Sequence, residues 1–288
     1  MARGGLSRSA IIDRVAGAAG QGAAAGQRRR AGRPRLRPAS NADIAPRAEI
    51  LDAAAELFVR QGLTATTTRQ IADRVGIRQA SLYYYFTGKD EILLELLTQS
   101  VRPSLQVAAT LEARSGDQPA AGLYALALID TSTLTRAPHN IATLYLLPEV
   151  QGEEFASFHA ERAELQATYG RLGHAAARLT GVAAPAGALD QELAATLIMQ
   201  LVESVIQLRR AGQLGDGYAD QIAASCLRLA GLDAAAVAAA RSAAQALLAD
   251  PETLHDDVLP PRGWCFEPVR GGLEPQPSPS PAQPGEGR

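Results

Sequence analysis

An all-α fold is what this sequence predicts, and three observations carry that reading. Of 288 residues, 57 are Ala, a residue that favours helix and contributes little strand preference. Apolar residues recur at helical spacing through the middle of the chain, and no strand-like alternation accompanies them. Stretches rich in Gly and Pro then cut the chain into segments of helical length. Apolar residues make up 47% and charged residues 20%, so the bulk of the chain has the material for a buried core.

The two ends differ from that bulk. Residues 1–42 are dominated by Gly, Ala and Arg without a sustained apolar period, which predicts a disordered Arg-rich arm carrying at most a short helix around residues 10–18. Residues 251–288 hold nine of the seventeen prolines, which preclude regular helix and predict a solvated tail. Charge is split the same way. Residues 1–44 carry +7, residues 45–97 carry −1 and residues 98–288 carry −8, so a cationic arm precedes an acidic body. Lys89 is the sole lysine beside 27 Arg, a bias that reflects genome composition more than guanidinium chemistry. Cys226 and Cys265 lie far apart without metal-ligand spacing, which supports neither a disulfide scaffold nor a zinc site. The sequence has no run of 18 apolar residues, and Asp13 and Arg14 interrupt any signal-peptide core. A soluble, cytoplasmic protein without a membrane partner is expected.

Between the ends, each helix can be justified in turn. Asp43 or Ala45 caps a first helix with Pro46 in its first turn, where the missing amide proton costs nothing. Its apolar stripe is Ile50, Leu51, Ala54, Leu57 and Phe58, and Gly62 stops it. Thr67 opens a second helix with Gln70 in the reciprocal capping position, and Gly76 closes it. A third short helix is expected from about Arg78 to Tyr84. A fourth follows Thr87, with Asp90 in the reciprocal capping position and Ile92, Leu93, Leu96 and Leu97 inward. Further helices fill residues 98–231, separated at 116–119, 137–138, Gly152, 181–187 and 212–217. The segment 189–210 is apolar on nearly every side, which places it in a core, against another subunit, or both. One more helix, Ala234 to Leu248, has high propensity but little apolar bulk.

The second and third helices with Gly76 and Ile77 between them form a helix-turn-helix, the unit that places its second helix in a DNA major groove. Spacing alone is a weak signal, because many helical proteins contain such a turn. Four of the thirteen aromatics are consecutive, from Tyr83 to Phe86, and one helix face cannot bury four neighbours. Leu82 and Phe86 suit the inner face, with Tyr85 packing beside them. That leaves Tyr83 and Tyr84 at the solvent edge with hydroxyls able to reach phosphate oxygens. Gln79 and Ser81 fall in the first turn of the third helix, and Gln can pair bidentately with an adenine edge.

Residues 46–97, PRAEILDAAAELFVRQGLTATTTRQIADRVGIRQASLYYYFTGKDEILLELL, resemble the DNA-binding domain of the tetracycline-repressor (TetR) family of bacterial transcriptional regulators. The resemblance rests on the Leu57-Phe58 pair, the Gly62 break, the Thr-rich entry to the second helix, and Leu82-Tyr83 to Phe86 followed by Lys89-Asp90. It implies a homodimer in which each subunit carries a three-helix DNA-binding head (43–97) and a helical ligand-binding and dimerisation body (98–250). A palindromic double-stranded operator and a small-molecule effector are then the expected partners, with repression relieved by the effector. Carried onto matching positions, Thr68 and Arg69 contact phosphate or a base, Gln79 and Ser81 read or brace the groove, and Tyr83, Tyr84 and Lys89 hold the backbone. Thr67 aims the amides of its helix N-terminus at phosphate, and Arg78 contacts a base.

The arm segment 28–38 resembles an AT-hook core, with Arg28, Arg29, Arg30, Arg33, Arg35 and Arg37 around Gly32 and Pro34, although Ala31 stands before the Gly. Three readings of it stay open: insertion in an A-T minor groove, counterion-releasing attraction to phosphates, or no role. Tyr145, Phe155, Phe158, His159, Arg162 and Met199 form the polar-aromatic set suited to line an effector cavity. Each has a plainer role as core or solvated helix face. His139, His159, His174 and His255 form no i, i+4 pair, which argues against a metal. No cofactor motif and no nucleophile–base constellation emerges, so an enzyme is the weakest alternative. An architectural DNA protein acting mainly through the arm is the other.

Overall fold

The computed structural model describes residues 46–179 and 190–250. The arm arginines, the capping candidates Asp43 and Ala45, the 181–187 break, His255, Cys265 and the Pro-rich tail lie outside the described residues. Those described form nine α-helices and three 3-10 turns, with no strand. No helix among them is long and apolar enough to cross a membrane.

Helix α1 spans Pro46–Gln61 and buries Ile50, Leu51, Ala54 and Phe58. Gly62 ends it at φ +87°, a left-handed conformation that a side chain would strain. Helix α2, Thr68–Val75, is capped by Thr67, whose hydroxyl accepts from the Gln70 amide while the Gln70 side-chain oxygen accepts from the Thr67 amide at 2.8 Å. Beyond it, the Ile77 amide donates back to Ala72 O at 3.0 Å, which folds the chain into the turn. Helix α3 is a single turn, Gln79–Leu82, shorter than the sequence suggests. The Tyr85 amide donates to Leu82 O, three residues back, so the chain tightens after Leu82 and brings Phe86 back to the core.

Helix α4 spans Lys89–Ser115. Its N-cap is Gly88, one residue later than Thr87, so the third helical position belongs to Glu91 and not to Asp90. Glu91 accordingly accepts from the amide and hydroxyl of Thr87, at 2.6 and 2.8 Å. These bonds hold its carboxyl below the usual value. The boundary expected at 97–98 falls inside this helix, which therefore belongs to head and body alike.

The body is built round α5, Pro119–Arg136, with 13 of its 18 residues buried. Helices α6 (Ala156–Leu179), α7 (Gln191–Arg210), α8 (Tyr218–Leu229) and α9 (Ala234–Ala249) surround it together with α4. Helices α6 and α7 approach so closely that a Cβ on Gly170 would sit 2.8 Å from that of Ala195. In place of the helix expected between residues 138 and 152 the chain makes two 3-10 turns, Ile141–Leu144 and Pro148–Gln151, and a third, Glu153–Phe155, leads into α6. Pro148 has no amide to donate, and the Thr143 hydroxyl takes Asn140 O at 2.7 Å in competition with the backbone. Helix α7 buries Ala195, Ile198, Met199, Val202, Val205 and Ile206. Its opposite side keeps Leu193 44% exposed and Leu197, Leu201 and Leu208 half-buried.

Candidate nucleic-acid interface

The head is braced before it presents anything. Ile50, Ala54, Phe58, Ile71, Leu82, Phe86 and Ile92 form its core, each at most 1% exposed. The Arg47 guanidinium lies 4.5 Å from the centre of the Phe86 ring and donates to Glu95 at 2.9 Å, which joins α1 to α4 across that ring. Glu56 accepts from Arg60 and, through two nitrogens, from Arg74, which joins α1 to α2. Burial pushes the Glu56 carboxyl up, but the bonds from both arginines outweigh it and hold the group below its usual value. Arg47, Arg60 and Arg74 are thus engaged within the head. Arg69 lies 3.9 Å from Asp73, beyond hydrogen-bond reach, and Arg78 has no charged partner among the described residues.

On this brace the short α3 presents one polar face. Leu82 and Phe86 are buried, Tyr85 is half-buried, and Tyr83 and Tyr84 are 50% and 85% exposed. Arg78, Gln79 and Ser81 are exposed on the same turn. Gln79 donates through Nε2 to the Thr68 side-chain oxygen at 2.9 Å, and that oxygen lies 3.2 Å from the Tyr83 hydroxyl. Thr68, Gln79 and Tyr83 are therefore one cluster spanning α2 and α3. Thr67 is occupied with its cap. Lys89, expected to hold the DNA backbone, is half-buried and donates within the head to Leu63 O at 2.9 Å and Thr66 O at 3.4 Å. Its ammonium pins the α1–α2 connection against the start of α4.

Of the six body residues singled out by sequence, several come together. Tyr145 and Phe158 rings are 5.2 Å apart, Phe158 and His159 5.1 Å, and Arg162 lies 5.9 Å from the Tyr145 ring centre. Phe155 and Met199 are buried in the surrounding core. His159 is bonded to Val150 O at 2.7 Å, and Arg162 makes a two-pronged pair with Glu203 at 2.6–3.0 Å. Sequence reasoning missed the polar centre beside this set. Asp130 is buried and accepts from Ser104 at 2.7 Å and Tyr169 at 2.9 Å, while the Tyr145 hydroxyl meets Ser100 at 2.7 Å. Burial pushes the Asp130 carboxyl up to about 6, partly offset by those two hydroxyls. Its signal in the sequence is a lone acid inside the apolar run 122–131.

Head and body also touch outside α4. His139 lies 3.1 Å from Asp52, and Thr64 donates to Glu149 at 3.0 Å. Between them opens a cleft of about 730 Å³ whose walls include Phe58, Leu63, Pro138, Leu147 and Arg210. None of the six body residues lines it. No group of three or more metal-ligating side chains occurs among the described residues.

Comparison with known proteins starts at the head. Residues 50–96 match the family model described as bacterial regulatory proteins, tetR family. The HTH-type transcriptional repressor KstR2 of Mycobacterium tuberculosis is 51% identical over 51 residues, covering 18% of this chain and 26% of that protein. The HTH-type transcriptional regulator SrpR of Pseudomonas putida is 40% identical over 57 residues, covering 20% of this chain and 27% of that protein. The chain thus matches about a quarter of the length of these curated relatives. The likeness to a solved structure reaches further. Mycobacterium smegmatis AmtR is 40% identical with a TM-score of 0.63, over 71% of this chain and 96% of that one. A TetR-family transcriptional regulator from Bordetella parapertussis, at 20% identity and a TM-score of 0.52, over 64% of this chain and 93% of that one, shares the fold. Since the AmtR likeness runs through head and body alike and the family model falls on the braced helix-turn-helix, the chain belongs to the tetR family of bacterial regulatory proteins.

Proposed function

We propose that this protein is a ligand-responsive transcriptional repressor that binds a palindromic operator as a homodimer in the cytoplasm and is released by a small molecule. One observation carries the reading: the turn that hides Leu82 and Phe86 turns Tyr83, Tyr84, Gln79 and Arg78 outward together. Gln79 and Arg78 are the base-edge candidates, Ser81 braces the groove, and Tyr83, Tyr84, Arg69 and the amides behind Thr67 meet phosphates. Lys89 contributes its remaining N–H and the position of the α1–α2 connection.

The dimer supplies the second head. The outer side of α7 keeps Leu193 exposed and Leu197, Leu201 and Leu208 half-buried, and α6, which packs against α7, exposes Ala160, Ala163 and Ala167. A second copy of this face would cover it. The effector is assigned to the body, at Tyr145, Phe155, Phe158, His159, Arg162 and Met199, where the contacts among Tyr145, Phe158, His159 and Arg162 support one shared site. Its binding would act on the heads through α4 and the His139–Asp52 and Thr64–Glu149 ties, and linkage requires DNA to weaken effector binding by the same factor. The Arg-rich arm adds salt-dependent attraction that the head, at −1, does not supply.

Selection of binding sites from a randomised duplex library with purified protein tests the reading. A two-fold symmetric site with half-sites about one helical turn apart, or a multiple of it, is expected. Recovery of A-T tracts without symmetry would favour the architectural alternative. Deleting residues 1–40 should flatten the dependence of affinity on salt, and an unchanged slope removes the arm from the mechanism.

A further inference from the structure

We propose that Thr68 is a positioning residue: its hydroxyl fixes which way round the Gln79 carboxamide is presented, and couples that base-reading group to Tyr83. The inference rests on the DNA-binding reading above. Thr67, not Thr68, caps α2, so the Thr68 hydroxyl has no part in closing that helix. It accepts from Gln79 Nε2 at 2.9 Å and lies 3.2 Å from the Tyr83 hydroxyl.

A carboxamide offers an acceptor on one side and two donors on the other, and its terminal torsion is soft. An adenine edge demands an acceptor and a donor in fixed order, so an amide free to rotate spends part of its time the wrong way round. A hydroxyl has one hydrogen. Either hydroxyl of the Thr68–Tyr83 pair can be the donor, and we take Thr68 as the donor, so that its oxygen can only accept from Gln79. A flipped amide would then set oxygen against oxygen. In that arrangement the Gln79 oxygen and second N–H are left for a base edge in a fixed order, and Tyr83 keeps its own hydrogen for a phosphate oxygen. The order in which Gln79 presents its acceptor and donor is thereby set before DNA arrives, while the Tyr83 hydroxyl can reach a phosphate with or without Thr68.

Two variants separate this from a direct contact. Thr68→Val keeps the shape and removes the hydroxyl, whereas Thr68→Ser keeps the hydroxyl. Both variants change the one half-buried residue that opens α2, and circular dichroism melts should match wild type. Affinity is measured on the duplex selected by wild type, on duplexes with each base pair replaced, and on a random-sequence duplex. At the base pair that Gln79→Ala also relaxes, Thr68→Val should lose about tenfold in discrimination, the scale of one good bidentate contact. Its affinity for the random-sequence duplex should stay within about twofold, Thr68→Ser should keep discrimination, and the Thr68→Val/Gln79→Ala double variant should lose no more than Gln79→Ala alone. Equal losses on every duplex, random included, would make Thr68 a backbone contact and overturn the proposal. Intact discrimination in Thr68→Val would overturn it too, since Gln79 would then orient without help. Wild-type protein with no preference among duplexes would instead defeat the DNA reading itself, and the inference with it.

Discussion

Head and body solve opposite problems with their polar side chains. In the head, Gln79, Arg78, Tyr83 and Tyr84 are exposed and are held in place by a small buried core around Leu82 and Phe86. In the body, Asp130 and Tyr169 are sealed inside, each answered by another buried group. Exposed polar groups cost little in stability and are available to a partner. Buried ones cost desolvation and persist only with internal bonds. The head therefore reads as a surface for an extended polyanion, and the body as an interior in which a small shift of charge changes packing.

Four changes would break or sharpen that contrast. Phe86→Ala removes the ring on which Arg47 rests and leaves a cavity between α1 and α4, which should cost about 3–5 kcal/mol and shift the urea midpoint accordingly. DNA affinity should fall with it, because the outward phenols are held by that core. An unchanged midpoint would show that the head is braced elsewhere.

Asp130 gives the body's counterpart. Its folded carboxyl titrates near 6 against about 3.9 unfolded, so the folded state holds the proton more tightly. The stabilisation is fully present below about pH 4 and is lost as pH rises through 6, in total about 3 kcal/mol. Asp130→Asn should remove that loss. Urea midpoints at pH 4 and pH 7 would then differ less in the variant than in wild type, and identical pH dependence would contradict the burial argument.

Thr67→Ala removes the cap of α2 and should cost about 1 kcal/mol, read as a small drop in melting temperature with a larger drop in operator affinity. Tyr84→Phe is the mildest. The residue is 85% exposed, so stability should stay within about 0.5 kcal/mol. Affinity for every duplex should fall by a similar small factor, whatever its sequence. A change confined to one base pair would move Tyr84 from the backbone to a base.

The same contrast explains what was legible in the sequence. Four consecutive aromatics cannot share one face, so the outward turn of Tyr83 and Tyr84 followed from local geometry alone. The Thr67–Gln70 cap and the Gly62 and Gly76 breaks are likewise local rules. The end of α3 was not, because the tightening after Leu82 answers to where Phe86 must pack. Glu91 was missed by one register, since Gly88 and not Thr87 is the cap. The 3-10 run over residues 141–155 hides behind apolar spacing that a helix would share. Asp130 depends on Ser104 and Tyr169, 26 and 39 residues away, and no local pattern announces such partners.

The central claim is that the Gln79 face enters the major groove once in each half of a symmetric site. Parallel selection of binding sites by wild type and Gln79→Ala tests it most directly. The expected result is the same half-site spacing in both, with preference lost in the variant at a single base pair in each half-site. Undiminished preference at every position in the variant would contradict it.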